Sequence, residues 1–227
     1  MKPRFAAREG HLRTMPGQSV TVMAASAAVF AATPAVAADE AWFSHLGIAA
    51  TDLQDKSRIR RNGEPLAGAA IRTDVSNVPN IEIGRRITPH VAIAIAAGVP
   101  PKTQVEGRGT LSNLGRIATI TAGVGSLTAQ WRPIRGRLEP YVGAGIAYLH
   151  TFKVRDGALK GSRASNDFGP VAQIGVELQL IEGAGIYAEL RQTRLKSTLR
   201  GTIGGASIVG VSSPDPLIID AGALIRF

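Results

Sequence analysis

The chain has no cysteine, and aromatic side chains make up only 5% of its 227 residues. The absence of cysteine excludes a disulfide framework and a thiolate metal site. Long apolar runs are also lacking, since the run Val20 to Ala32 is shorter than the roughly 20 residues that a membrane-spanning helix requires. Stability must therefore come from another source, and a closed ladder of hydrogen-bonded strands in a membrane is one.

The first 37 residues have the pattern of a cleaved export signal. A basic segment precedes the apolar run, Pro34 follows it, and Ala35-Val36-Ala37 supplies the small-x-small pattern of a cleavage site. A membrane-anchoring helix is the alternative, but the run is short and Pro34 would disturb its end. We therefore expect a signal peptide over residues 1–37 and a single mature domain over residues 38–227, beginning at Ala38 or Asp39.

The C-terminal segment Leu217 to Phe227 alternates strictly between a wholly apolar set and a mixed set of side chains. This period of two predicts a strand with one apolar face. A strand at the end of a chain needs a partner for its backbone, and in a closed transmembrane barrel the first strand supplies it while lipid accepts the apolar face. The same strand is the segment expected to engage the barrel-assembly machinery.

Cutting the chain at its turn residues predicts eight strands, most of them as long as the roughly 9 to 11 residues that cross a bilayer at a tilt. The predicted strands are Trp42–Thr51, Pro79–Ile87, Val91–Val99, a strand within Ile117–Trp131, Tyr141–Phe152, Phe168–Leu180, Gly185–Leu195 and Leu217–Phe227.

The connections between these strands alternate between short and long. Short turns at one end and long loops at the other are typical of an outer-membrane barrel with periplasmic termini and four long extracellular loops. The alternative is a soluble eight-stranded barrel of the lipocalin type, which would direct its apolar face inward. The export signal, the terminal Phe227 and the loop alternation favour the all-β, antiparallel, transmembrane barrel with its apolar face outward.

Two predicted strands are apolar on both faces, so part of the lumen should have an apolar lining. Ile and Val alternate with Ala on the third strand, and larger apolar residues alternate with Gly and Ala on the fifth. Eight strands enclose little more than their own side chains, so small residues would leave part of the lumen vacant for an apolar solute. The expected channel-lining residues are Ala92, Ala94, Ala96, Gly143, Gly145 and Ala147.

Several separated motifs resemble the OmpW family of small outer-membrane porins. They are Ile117-Ala118-Thr119, Leu127 to Trp131, Pro140 to Ile146, Ala172 to Val176, and the closing segments Asp215-Pro216, Ala221-Gly222 and Arg226-Phe227. The resemblance covers Trp42 to Phe227 and implies an eight-stranded barrel in the bacterial outer membrane. It also implies a narrow hydrophobic channel that passes small apolar molecules. Phe168 falls where the family often has Trp, and we expect it near the narrow point of the lumen.

The scarce aromatic residues have to anchor the barrel at the two membrane surfaces. The residues expected at these interfaces are Trp42, Trp131, Tyr148 and Phe227.

The long loops and their flanks carry an excess of positive charge, with fourteen basic and eight acidic residues. This excess is either a solvated rim or a surface attracted to the phosphates of lipopolysaccharide, since arginine pairs well with phosphate. Nucleic acid is not an expected partner of an exported chain. The basic residues are Lys56, Arg58, Arg60, Arg61, Arg72, Lys102, Arg108, Arg116, Lys153, Arg155, Lys160, Arg163, Lys196 and Arg200.

Signals for catalysis and cofactors are weak. His150 beside Thr151 is the nearest approach to a base and a nucleophile, but adjacent strand residues face opposite ways. No metal-binding motif and no complete nucleotide fingerprint is present. The sequence therefore predicts no cofactor and no enzymatic activity. A structural or adhesive barrel with a plugged lumen and, less favoured, a lipid-modifying barrel enzyme remain the alternatives to a channel.

Overall fold

A computed structural model describes residues 41–52, 56–73, 76–213 and 215–227. The segment predicted to be a signal peptide, residues 1–37, lies outside the described residues. Within these ranges, no helix is long and apolar enough to cross a membrane. The strands are β1 Trp42–Asp52, β2 Lys56–Arg61, β3 Glu64–Pro65, β4 Ala69–Thr73, β5 Ser76–Thr88, β6 Val91–Gly98, β7 Lys102–Gly109, β8 Arg116–Trp131, β9 Leu138–Asp156, β10 Lys160–Ala164, β11 Asp167–Ile181, β12 Ala184–Thr193, β13 Ser197–Ile203, β14 Ala206–Ser213 and β15 Leu217–Arg226.

Eight antiparallel strands close into a barrel in the order β1, β5, β6, β8, β9, β11, β12, β15. Closure joins β15 to β1, with Phe43 opposite Arg226 and Asp52 opposite Leu217. Beyond this ladder, Trp42 N donates to Phe227 O at 2.9 Å and Phe227 N donates to Trp42 O at 3.0 Å. The prediction that the C-terminal strand pairs with the first strand is confirmed, and the ring has no free edge.

The predicted long loops contain further strands that extend the barrel at one end. β7 continues the pairing of β8 beyond β6, and β4 pairs with β7. A separate five-stranded sheet has the order β10, β13, β14, β2, β3. A 3₁₀ turn over Ser112–Leu114 connects β7 to β8. The long connections therefore consist mostly of β-strands. The end of the barrel that carries them is called the long-loop end below.

The outer face of the barrel is apolar. On β11, Ile174 and Leu180 are exposed while Gln173 and Glu177 are buried. The C-terminal strand repeats this pattern, with Ile219 exposed and the intervening polar residues buried. Because polar side chains point inward and aliphatic ones outward, the prediction of an apolar exterior is confirmed, as a transmembrane barrel requires.

Glycines on the barrel wall make room for large side chains of neighbouring strands. A Cβ on Gly84 would lie 2.1 Å from Phe43 Cζ, and one on Gly175 would lie 2.4 Å from Tyr141 Cζ. Both rings are buried. Small residues therefore accommodate the bulky side chains of the adjacent strands, and those side chains fill the space beside them.

Candidate functional site

A network of buried ion pairs fills the barrel at the end opposite the long loops, which is called the short-turn end. Its centre is Glu177, whose carboxylate lies 2.6 Å from Arg132 Nη2, 2.7 Å from Arg226 Nη2 and 2.9 Å from His45 Nε2. Arg226 also reaches Glu139 at 3.0 Å. The barrel cross-section here is therefore occupied by side chains from several strands.

The network continues across the barrel through Glu82. Its carboxylate accepts hydrogen bonds from Arg191 Nη2 at 2.6 Å and from Gln130 Nε2 at 2.8 Å. Arg191 in turn lies 2.6 Å from Glu189, which accepts the Tyr141 hydroxyl at 2.8 Å. Buried charges are tolerated only when they are paired in this way. Interlocked pairs of this kind connect several strands of the barrel and place charged side chains across its interior.

Aromatic rings pack the network from the side. The Arg132 guanidinium lies 4.4 Å from the centre of the Phe43 ring and 4.7 Å from that of Tyr141. His45 stacks on Tyr187 with ring centres 4.1 Å apart. Contact with ring faces stabilises a guanidinium that burial has removed from water. Phe43 also packs against the inward-facing Ala92, Ala94 and Leu224.

Above the network, toward the long-loop end, lies an apolar cavity of about 230 Å³. Arg191, Asn80 and Ser126 are among its few polar lining residues. Most of the other described residues that line it are aliphatic, and none of those described is aromatic. Side chains of the long-loop strands contribute a cluster of buried apolar residues to it: Ile59, Val105, Leu111, Ile117, Leu159 and Ile208.

The cavity reaches the barrel wall where one hydrogen-bond ladder is interrupted. Pairing of β6 with β8 stops at Ala97 opposite Gly125, and pairing of β7 with β8 resumes at Lys102 opposite Thr121. Pro100 and Pro101 lie in the intervening segment and have no N–H group to donate. Val99, Pro101, Ala122, Gly123 and Val124 all line the cavity at this point.

The six small residues predicted to line a channel all face inward, but they do not line this cavity. Ala92, Ala94, Ala96 and Ala147 are fully buried. A Cβ on Gly143 would lie 2.9 Å from the Gln173 side chain. The expectation of a continuous narrow apolar lumen is therefore wrong, because apolar lining ends where the ion network begins.

The expectation that Phe168 narrows the lumen is also wrong. Its side chain is 67% exposed, shares the outer face of β11 with Ile174, and stacks on Tyr148 with ring centres 4.3 Å apart. A one-residue offset along a strand moves a side chain to the other face. Phe168 therefore belongs to an outer aromatic cluster that also contains Tyr148, His150 and Phe152.

Of the four aromatic residues predicted for the membrane interfaces, Tyr148 lies in this outer aromatic cluster. The other three lie at the short-turn end of the barrel. Trp42 and Phe227 face each other across the closing ladder, and Trp131 pairs with Val91 at the start of β6. All three side chains are exposed. Together with the outer aromatic cluster they mark two levels on the exterior, and both levels fit an aromatic belt.

Of the residues considered for catalysis, His150 contacts the Tyr148 hydroxyl at 3.4 Å rather than a nucleophile. Thr151 uses its backbone N–H to donate to Asn166 at 2.8 Å. In the part of the chain that the structure describes, no group of three or more His, Cys, Asp or Glu residues is arranged to hold a metal ion.

One protein family and several known proteins are similar to this chain. A family model described as the OmpW family matches residues 43–227. The dibenzothiophene metabolism operon protein PahQ of Pseudomonas aeruginosa is 26% identical over 188 residues, which cover 82% of this chain and 89% of PahQ. The outer membrane protein AlkL of Ectopseudomonas oleovorans is 27% identical over 165 residues, covering 70% of this chain and 72% of AlkL.

A solved structure shares the fold. The crystal structure of the outer membrane protein OprG from Pseudomonas aeruginosa superimposes with a TM-score of 0.77 at 19% identity. The match covers 82% of this chain and 95% of OprG. The likeness confirms the fold. The family match and the outer membrane relative AlkL place the barrel in the outer membrane, where the short-turn end is periplasmic and the long-loop end extracellular.

Proposed function

Because the chain belongs to the OmpW family and forms a barrel of the bacterial outer membrane, we propose that it provides a passive route for small hydrophobic molecules. The observation that carries this proposal is the aliphatic cavity at the extracellular end. A cavity with so few polar groups favours solutes that need no hydrogen-bond partners. The relative PahQ is named for an operon that metabolises dibenzothiophene, an apolar compound, and this is consistent with such a solute.

A solute in this cavity has no path straight down to the periplasm. Arg191 lies at the polar side of the cavity and is held by Glu82 and Glu189. Moving an apolar molecule through that network would require separating buried ion pairs, which costs several kilocalories per mole. We infer that solutes leave sideways, through the wall at Pro100 and Pro101, into the lipid.

A bulky residue in the cavity tests the route. Ala49 is buried and lines the cavity, so Ala49→Trp should fill it and reduce uptake of a hydrocarbon such as naphthalene to the level of cells without the protein. Ala144→Trp is the matched control, because Ala144 is exposed on the barrel exterior. Uptake is compared between cells that carry equal amounts of folded protein in the outer membrane, where folded protein is recognised by its change in gel mobility on heating. Normal uptake by folded Ala49→Trp would exclude the cavity as the route and favour a structural or adhesive barrel.

The exit is tested separately by replacing Pro100 and Pro101 with alanine. The new N–H groups can donate to β8 and extend the interrupted ladder. We expect slower naphthalene uptake together with unchanged or greater resistance to heat in detergent. Uptake equal to that of the parent would contradict a sideways exit while leaving the cavity proposal intact.

We further infer that β15 with Phe227 is the segment presented to the barrel-assembly machinery. Support comes from its exposed terminal ring and from its position as the strand that closes the barrel.

A further inference from the structure

The extracellular five-stranded sheet of β10, β13, β14, β2 and β3 has two chemically different faces. Its inner face lines the apolar cavity through Ile59, Leu199 and Ile208. Side chains alternate across a strand, so Arg60, Arg200 and Val209 lie on the opposite, outer face. The sheet thus continues the barrel wall, with its outer face directed away from the cavity.

Register brings arginines into one transverse row on this outer face. Arg163 of β10 is opposite Arg200 of β13, Arg200 is opposite Val209 of β14, and Val209 is opposite Arg60 of β2. The three arginines are exposed. They are called the arginine row below. Two further exposed cations share the face in adjacent rows: Arg58, opposite Val211, and Lys160, opposite Thr202.

The arginine row has no internal counter-charge. Among the described residues, no carboxylate lies within 4.0 Å of Arg60, Arg163 or Arg200. Glu64 is the only acidic residue in the five strands, and it is opposite Arg61, which alternates with Arg60 and so lies on the other face of the sheet.

Two described acidic residues that flank β10 in the sequence are engaged elsewhere. Asp156 accepts the backbone N–H groups of Gly161 and Ser162 and the Ser162 hydroxyl. These bonds hold the pKa of Asp156 below its usual value, which keeps it charged but committed to the turn. Asp167 accepts the backbone N–H of Lys196 at 2.6 Å.

Like charges directly opposite each other on neighbouring strands lower the stability of a sheet. The Arg163 and Arg200 pair therefore has a cost for folding, which a bound anion would offset. Three guanidinium groups in a row match an array of phosphates, because each can donate two parallel hydrogen bonds to one phosphate group.

The height of the row identifies which phosphates are within reach. Phe168 and Tyr148 mark the extracellular level of the aromatic belt on the same exterior surface, and β10, which carries Arg163, ends just before the β11 segment that carries Phe168. The row therefore stands immediately above the hydrocarbon region and faces sideways. We propose that the arginine row binds the phosphate groups of lipopolysaccharide in the surrounding outer leaflet.

Removing two opposed arginines tests this surface without disturbing the cavity. Arg163→Gln with Arg200→Gln should weaken binding of fluorescently labelled lipopolysaccharide about tenfold, since two charge-assisted contacts are lost. The protein is held in nanodiscs of zwitterionic phospholipid, and binding is followed by anisotropy. Arg135→Gln with Arg137→Gln removes the same charge from an exposed periplasmic turn and should leave the affinity unchanged. Arg60→Gln with Arg200→Gln provides a second variant of the row.

Both row variants should retain the heat-dependent gel shift of the folded barrel, because they remove a repulsion. The parent should lose the same affinity when the lipopolysaccharide is dephosphorylated enzymatically. Equal binding by folded row variants and parent, or equal binding of dephosphorylated lipopolysaccharide, would overturn the proposal. Tighter binding of a soluble sulfated polysaccharide than of lipopolysaccharide would also overturn it, by identifying a polyanionic glycan as the ligand.

Discussion

Replacing Glu177 with glutamine is expected to lower the free energy of unfolding of the barrel by about 3 kcal/mol, the lower end of the cost of breaking a buried ion pair. Glu177 is fully buried and contacts Arg132, Arg226 and His45 within 3 Å. A neutral side chain leaves two guanidinium groups without their main counter-charge. The substitution preserves volume, so the loss reports charge rather than packing.

The measurement is urea unfolding in detergent, followed by the fluorescence of Trp42 and Trp131. Glu182→Gln is the control, because Glu182 lies exposed in the turn between β11 and β12 and should change stability by less than about 0.5 kcal/mol. If Glu177→Gln unfolded at the same urea concentration as Glu182→Gln, the network would not stabilise the barrel. The ion network would then need another explanation, such as an effect on which solutes pass the barrel.

The sequence predicts the barrel strands well because two independent patterns coincide. Alternation of apolar and polar residues on β11 and β15 separates two faces of each strand, and the export signal and loop lengths favour the apolar face as the outer one. Turn residues then mark the ends of the strands, so that Trp42 and Val91 begin strands in the structure as predicted. Closure follows because every strand in a membrane needs a partner on each side for its backbone groups.

The extracellular strands were missed because their patterning is weak. β13 and β14 carry glycine, serine and threonine between their apolar residues, a composition that also predicts loops. Their inner faces are fixed by packing over the cavity, through Leu159, Ile208 and Ile59. Such contacts join segments far apart in sequence and have no local signal.

The ion network was missed for a different reason. Glu177, Glu189, Arg191 and Arg226 could be assigned to one face of their strands, but alternation does not say which carboxylate meets which guanidinium. The pairing depends on strand tilt and stagger around the barrel, which bring Glu82 of β5 against Arg191 of β12. The small inward-facing residues therefore predicted vacant space in the lumen, although Phe43 and other large side chains occupy that space.

Deleting Phe227 is expected to abolish most insertion into the outer membrane. The deletion removes the two backbone hydrogen bonds with Trp42, at 2.9 and 3.0 Å, and also the exposed aromatic ring. Because these bonds extend the seam between β15 and β1, their loss shortens that seam and leaves the end of the first strand unpaired at the membrane interface. The yield is measured as heat-modifiable protein in the outer-membrane fraction.

Phe227→Ala separates the two contributions of this residue, because it keeps the backbone bonds and removes the ring. If the ring is read by the assembly machinery, Phe227→Ala should insert poorly in cells yet refold in detergent as well as the parent. Deletion of Gly204, which lies in the turn between β13 and β14, should spare both insertion and refolding. Equal cellular yields for Phe227→Ala and the parent would show that the ring is not recognised. Poor refolding of Phe227→Ala in detergent would instead assign the ring a role in the stability of the closed barrel.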